Sequence, residues 1–446
     1  MLRLVTTYVG IALLCLALAG GVCSDTMWDY QEVNENGLGI HTKVNAPFED
    51  PANKVVVEGI ALAGSDEILN PDNGERPAYT LFVQDDVNPR GGIQAWAGAW
   101  FYEMLWPILR TTDYIDVNGG DRVRITGFLA DAGRGKVVIN NRHSNNLDLV
   151  FHVEILGHPG LPDPELIPSV SHCNYFDMTR SGGGEYYQTR FVMLHGVDIT
   201  SGTWGNNNML TVTDETGSVG ALLSLMGNYS QCAPPEGKLS FVAIFDQEDT
   251  VFPHTEGYRL WVKKCEDVAL AVDSCRQAKS YEAGIRVALI DKVVSRVYDG
   301  YFYIQDTERS GGVRVDSNRS VSPGQLVAVH GVISEDGGEK AIVPTHLSPG
   351  SQASIRPVFA TGPTLRAESG LDVYGLLVRC VVTIGTDRGD GLYSCTDDSG
   401  NEILVDANGI SLPDDGKLVV LTAVVAQRNG EVVLLVNDES DIQILN

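Results

Sequence analysis

The sequence predicts an all-β protein with minor helix, built of four successive five-stranded barrels behind an N-terminal signal peptide. Three observations predict it. Short runs of alternating apolar residues are separated by Gly- and Asp-rich turns along the chain. One order of such runs recurs four times. Residues 1–23 differ from the rest, with Arg3 ahead of an apolar stretch over 11–19 and the small residues Ala17 and Ala19 at its end.

That leader is read as a cleaved signal, because the apolar stretch is too short for a membrane anchor. No transmembrane segment is expected after its removal. Cys23 is a conceivable lipid anchor, but Val22 precedes it where such a site wants a small residue. The protein is therefore expected to be secreted or held in the cell envelope.

The clearest repeat unit spans 280–347. Its strands are expected at 285–290, 301–306, 312–316, 325–333 and 340–343, with Asp299-Gly300 turning the first hairpin. The same order returns within 355–446, where Asp397 takes the place of Asp306. A looser copy occupies 170–266 and another 40–156. The first copy carries a Trp-rich insert over 94–110, with Trp96, Trp100 and Trp106 at helical spacing. Its place between the third and fourth strands is where an OB barrel keeps its helix, so the modules are read as OB-like five-stranded β-barrels. The Pro-rich stretch 157–168 reads as a stiff linker. Residues 266–284 read as a mixed linker with room for a short helix.

Charge narrows the function. Lys plus Arg total 32 against 58 Asp plus Glu, a net charge of −26. Nucleic-acid binding rests mainly on cations that neutralise phosphates, and no basic run is present, so nucleic acid is disfavoured. Catalytic signatures are missing too. There is no H-E-x-x-H, G-x-S-x-G, Walker loop or G-x-G-x-x-G, and His143, His195, His254 and His330 have no partner at ligand spacing.

Candidate sites remain, each beside a plainer structural role. OB barrels bind ligands on the face of strands two and three. In the third module that face offers Tyr301, Tyr303, Arg309 and Arg314, aromatic and guanidinium groups able to stack on sugars or bases. Core packing is the plainer role for the two tyrosines, which share one side of a strand. Trp96 and Trp100 form an apolar patch that either binds a partner or caps the barrel. Asp85 with Asp86, and Asp397 with Asp398, are weak calcium candidates; Asp in a β-turn explains them without metal. Calcium is the only cofactor the pattern suggests. Cys380 and Cys395 bracket a hairpin and are expected to pair, while Cys173, Cys232, Cys265 and Cys275 leave the pairing open.

The run 299–315, Asp-Gly-Tyr-Phe-Tyr-Ile-Gln-Asp-Thr-Glu-Arg-Ser-Gly-Gly-Val-Arg-Val, resembles tandem OB-like modules of large secreted bacterial proteins. The segment 375–379, after Ile355-Arg-Pro-Val358, resembles the entry to the next module in such chains. The likeness is specific over 285–440 and implies architecture and export, not a ligand. The expected function is a non-enzymatic extracellular or envelope scaffold with a protein or glycan partner at the cell surface or matrix, open to self-association. The rivals are a binder of single-stranded nucleic acid or oligosaccharide through the strand two and three faces, and a cryptic hydrolase.

Overall fold

Alternation in the sequence becomes alternation in burial. In the strand Val55–Ala61, Val55 and Val57 point inward while Val56 is 55% exposed. The pleat forces this two-residue period, so one face of each such strand builds a core. The structure is a computed structural model that describes residues 25–48, 50–64, 67–72, 76–88, 91–97, 117–140, 151–366, 370–389 and 391–445. The signal peptide, Cys23, His143, Trp100 and the insert beyond residue 97 lie outside the described residues.

Among the described residues one pairing circuit appears four times. In barrel one, Val55–Ala61 pairs with Arg76–Asp85, and that with Gly92–Ala97. Gly92–Ala97 runs parallel to Val137–Asn140. The circuit returns through Leu129–Asp131 and Arg122–Gly127, one strand interrupted at Phe128, to Val55–Ala61. Barrel two uses Phe191–Ser201, Met209–Asp214, Gly217–Leu223, Leu239–Gln247 and Tyr258–Val262 in the same way. Barrel three uses Arg286–Tyr298, Tyr301–Gln305, Gly312–Asp316, Gln325–Asp336 and Glu339–Gln352. Barrel four uses Leu377–Thr383, Leu392–Asp397, Glu402–Asp406, Leu418–Arg428 and Glu431–Leu435. A parallel step between third and fifth strands, inside an otherwise antiparallel circuit, is the OB arrangement.

Three features depart from the sequence reading. The start of the expected helical insert, Gln94 to Ala97, is strand. Barrels two and three are not separate sheets: Val268–Ala271 pairs antiparallel with Leu239–Gln247 and parallel with Arg286–Tyr298, so one ladder runs through both. The short helix that follows, Cys275–Lys279, falls in the same 266–284 stretch. The Pro-rich linker is a strap lying on barrel three, where Pro164 carbonyl accepts Ser348 Oγ at 2.6 Å. It ends in Glu165–Ile167, parallel to Phe191–Ser201.

Short helical turns precede the first strands and tie to the hairpin between strands two and three. Val170 N–H donates to Asp214 Oδ2 at 2.8 Å, Cys275 N–H to Asp306 Oδ1 at 3.0 Å and Gly362 N–H to Asp398 Oδ1 at 2.6 Å. Each barrel has its own core cluster. Two more clusters lie between barrels. One joins Phe82 of barrel one to Phe191 and Trp261 of barrel two and reaches Ala328 of barrel three. The other joins Tyr303 of barrel three to Leu377, Val424 and Leu435 of barrel four.

Candidate binding surfaces

The outward side of strands two and three decides what each barrel can bind. In barrel one Thr80, Phe82 and Gln84 lie on that side by their two-residue spacing, and all three are buried. Barrel two covers Phe82 and Gln84. Gln84 Oε1 accepts the Phe191 N–H at 2.9 Å, and the Phe82 and Trp261 rings meet edge to face at 5.4 Å. The approach is so close that a Cβ at Gly92 would sit 2.1 Å from the Thr189 carbonyl oxygen.

Barrel three repeats this contact with barrel four. Gln305 Oε1 accepts the Leu377 N–H at 3.2 Å, and a Cβ at Gly312 would sit 2.2 Å from the Gly375 carbonyl. Tyr301 and Tyr303 do share one side of their strand, and that side faces barrel four. Tyr303 is 1% exposed and donates to Glu339 Oε1 at 2.8 Å. Burial, reinforced by the Glu339 charge, raises its phenol well above the ordinary range. Tyr298 stacks on Tyr301 at 5.0 Å and donates to the Leu435 carbonyl at 3.2 Å. Arg314 lies 4.3 Å over the Tyr301 ring, with its guanidinium held by Asp316 at 2.6 Å. Arg309 is not brought to this group. It is exposed in the turn at the far end of the strand from Tyr301, with its backbone at φ 62°. Trp96 is half-buried on the third strand of barrel one, opposite Thr80 and Asn140.

The aspartate pairs act as turn and helix caps. Asp85 Oδ1 accepts the N–H groups of Val87 and Asn88, both at 2.8 Å, and Asp86 holds Arg122 at 2.6 Å. Asp397 Oδ1 accepts from Ser399 at 2.8 Å and Asn401 at 3.0 Å, while Oδ2 meets Arg366. Burial opposes ionisation of Asp397, yet these N–H groups and Arg366 hold it below the usual carboxylate range. Among the described residues no group of three or more His, Cys, Asp or Glu is placed to hold a metal, and these carboxylates are engaged by the protein's own N–H groups and arginines.

The expected disulfide is corrected. Cys232 and Cys265 are bridged, with Cα atoms 6.6 Å apart, whereas Cys380 and Cys395 are free and buried, as are Cys173 and Cys275. The register Val382 to Asp397 and Thr383 to Thr396 staggers Cys380 and Cys395 along their strands, further than one bridge spans.

Barrels two and four keep part of their outward face open, although Leu222 of barrel two and Leu404 of barrel four pack into the clusters between barrels. On barrel two Thr200 and Thr213 hydroxyls meet at 2.8 Å, and Ser201 donates to Thr211 at 2.7 Å, beside the exposed Met209. This patch carries hydroxyls, and the cation beside it, Lys238, is paired with Asp198. At its edge Trp204 stands over a groove of about 410 Å³ at the barrel end. Sequence reading passed over Trp204, although a tryptophan amid glycines and asparagines at 202–208 has no helical or strand period to explain it. On barrel four the exposed Arg388 is paired with Glu402, and Arg428 with Asp406 at 2.6 Å.

No family model matches the chain, and no curated protein matches it. Among solved structures, the hypothetical protein YgiW from E. coli is 20% identical over 18% of this chain and 89% of its own, with a TM-score of 0.15. A replication protein A heterotrimer bound to ssDNA is 10% identical over 69% of this chain and 96% of its own, at 0.22. A murine DNA-binding protein bound with dsDNA is 10% identical over 46% of this chain and 93% of its own, also at 0.22. Likenesses at this level say nothing of what this chain binds. That question rests on its own surfaces.

Proposed function

We propose that the chain is a non-enzymatic binding scaffold that works outside the cytoplasm. One observation carries this reading: the ligand-type faces of barrels one and three are closed by barrels two and four, through the same glutamine-to-backbone contact. Those faces serve assembly, which leaves the outer faces of barrels two and four as the working surface. The working units are then the modules 40–156, 170–266, 280–347 and 355–446, paired one with two and three with four. The Cys232–Cys265 bridge supports an oxidising compartment. Among the described residues no helix is long and apolar enough to cross a membrane, which says nothing of strands.

The partner in this reading is a protein or glycan of the cell surface or matrix. A net charge of −26, with the cations of the open faces already paired, works against nucleic acid. The test sets the purified mature chain against immobilised glycans, purified surface proteins and labelled oligothymidylate over a salt series. Binding to a glycan or protein that persists at high salt, with no turnover of the partner, is expected. Tight oligothymidylate binding that falls steeply with salt would overturn the proposal.

A further inference from the structure

The groove beneath Trp204 is built more carefully than a surface depression needs. Two loops form it: 202–208, between the first and second strands of barrel two, and 224–238, between the third and fourth. They are pinned together. Trp204 Nε1 donates to the carbonyls of both Tyr229, at 3.1 Å, and Cys232, at 2.8 Å. Asn206 Nδ2 donates to the carbonyls of Leu225, at 3.0 Å, and Gly227. The Cys232–Cys265 bridge anchors the second loop to the end of the barrel. The first loop turns through left-handed backbone at Gly202, φ 96°, and at Asn207, φ 59°. Asn207 tolerates that region better than most side chains, but still at a cost.

The lining has a definite chemistry. Trp204, Pro234 and Pro235 give flat apolar walls, and Asp198 stands at the rim. The cation nearest Asp198 is Lys238, 3.6 Å away and also bonded to the Gly196 carbonyl at 3.2 Å. The indole N–H is already satisfied within the protein and Tyr229 packs at right angles to the ring at 5.2 Å, so Trp204 offers the groove carbon surface, with Asp198 as an acceptor at the rim. A peptide in polyproline form presents carbonyls and needs donors from its groove. A sugar presents hydroxyls that donate and a C–H face that packs on an aromatic ring. An anionic ligand meets Asp198 and the acidic surface with no free cation to offset them.

We infer that this groove binds a neutral oligosaccharide, whose sugar face lies on Trp204 and whose hydroxyls donate to Asp198. The volume of about 410 Å³ suits a short stretch of chain. The hydroxyls of Thr200, Ser201, Thr211 and Thr213 continue the polar surface along the barrel. The pinned loops keep the ordering cost of binding low. This assignment rests on the reading of the chain as a non-enzymatic binder and names its ligand class.

The experiment is calorimetric titration of the full mature chain with cellohexaose, xylohexaose, chitohexaose and maltohexaose, and with a proline-rich peptide as the rival. At least one hexaose is expected to bind. Asp198→Asn, an exposed change that leaves the fold intact, should weaken it by about tenfold or more. Trp204→Phe should weaken it as well, and Glu308→Gln in the exposed turn of barrel three should not. The assignment falls if no hexaose binds, if binding ignores both barrel-two variants, or if only the peptide binds there. In those cases a captured surface protein would leave the scaffold reading standing. Salt-steep binding of oligothymidylate would instead remove the scaffold reading itself.

Discussion

The side-chain oxygen of Gln84 accepts the backbone N–H of Phe191 at 2.9 Å, and this bond joins barrel one to the first strand of barrel two. Gln305 makes the equivalent bond to Leu377 at 3.2 Å, joining barrel three to barrel four. Two barrel pairs thus use one docking geometry, in which an outward face becomes an interior. Gln84→Ala leaves a buried N–H without a partner, which costs about 1–3 kcal/mol. The expected result is a lower urea midpoint and faster amide exchange at Phe191, with exchange in barrel four unchanged. Equal exchange at Phe191 in variant and wild type would show that the bond does not hold the pair together.

A buried ionic cluster locks the same pair from the side. Asp246 is fully buried and accepts Lys136 Nζ of barrel one at 2.6 Å and Arg259 Nη2 at 2.6 Å. Burial opposes its ionisation, but the two cations outweigh burial and hold it below its ordinary range. Asp246→Ala leaves buried Lys136 and Arg259 with only Glu248, 3.5 Å from each, and removal of one partner of such a cluster costs about 3–5 kcal/mol. Asp246→Asn, which keeps part of the hydrogen bonding, should cost less. Denaturant unfolding of both variants checks the order; equal small losses would mean the cluster is hydrated and weak.

Acid should loosen the junction of barrels two and three. His330 is fully buried, and burial, with His346 nearby, holds its imidazole at about 3 against 6.5. Asp267, Arg286 and His195 also face it. Burial holds His195 at about 4, with Asp273, Lys292 and Asp291 around it. Below pH 6.5 the unfolded chain takes up protons that the folded chain refuses. The stability these histidines contribute is therefore complete above 6.5 and is lost as pH falls toward 4. Each contributes a slope of up to about 1.4 kcal/mol per pH unit. Glu185 opposes them: burial raises it to about 7 from 4.5, so the folded state keeps a proton the unfolded state gives up, and acid favours it. Between pH 4.5 and 6.5 two histidines act against Glu185 and against Glu339, which burial also raises, so the balance toward instability in acid is at most about 1.4 kcal/mol per unit. Urea midpoints over that range should fall with pH, and His330→Gln should flatten the slope. A wild-type midpoint that rises toward acid would contradict the sign.

The strands were legible because burial on one face imposes a two-residue period, as in Tyr301-Phe302-Tyr303-Ile304, where Phe302 and Ile304 fill the core. The turn aspartates were legible for a local reason too, since Asp85 and Asp397 cap their own turns. Docking was not read, because a second apolar face on a strand does not name what covers it. A trace of it is nevertheless present. The residue before the turn aspartate is Gln84 or Gln305 in the barrels whose face is covered, and Thr213 or Thr396 in those whose face is open. Bracketing a hairpin misled the cysteine pairing, because proximity along the chain says nothing of stagger between strands. His195 and His330 lack partners in sequence and still feel one another's charge, because the ladder through Val268–Ala271 brings two barrels together.

The disulfide gives the last prediction, because it separates two pairings by mass alone. Cys232–Cys265 closes a loop with a sequence separation of 33, and a bridge of that span stabilises a fold by about 3–4 kcal/mol. Non-reducing digestion after alkylation of the unfolded chain should give one linked peptide containing Cys232 and Cys265. Cys380 and Cys395 should appear as alkylated thiols, exposed only by denaturant because both are buried. Burial raises the Cys380 thiol to about 12, with Asp398 and Asp397 adding to it, so it should resist alkylation in the native state. Reduction should lower the urea midpoint and free the loop that carries the Trp204 contacts at Tyr229 and Cys232. Hexaose affinity should therefore fall on reduction, even where the barrels stay folded. A linked peptide containing Cys380 and Cys395 would overturn the pairing, and unchanged hexaose affinity after reduction would show that the bridge does not shape the groove.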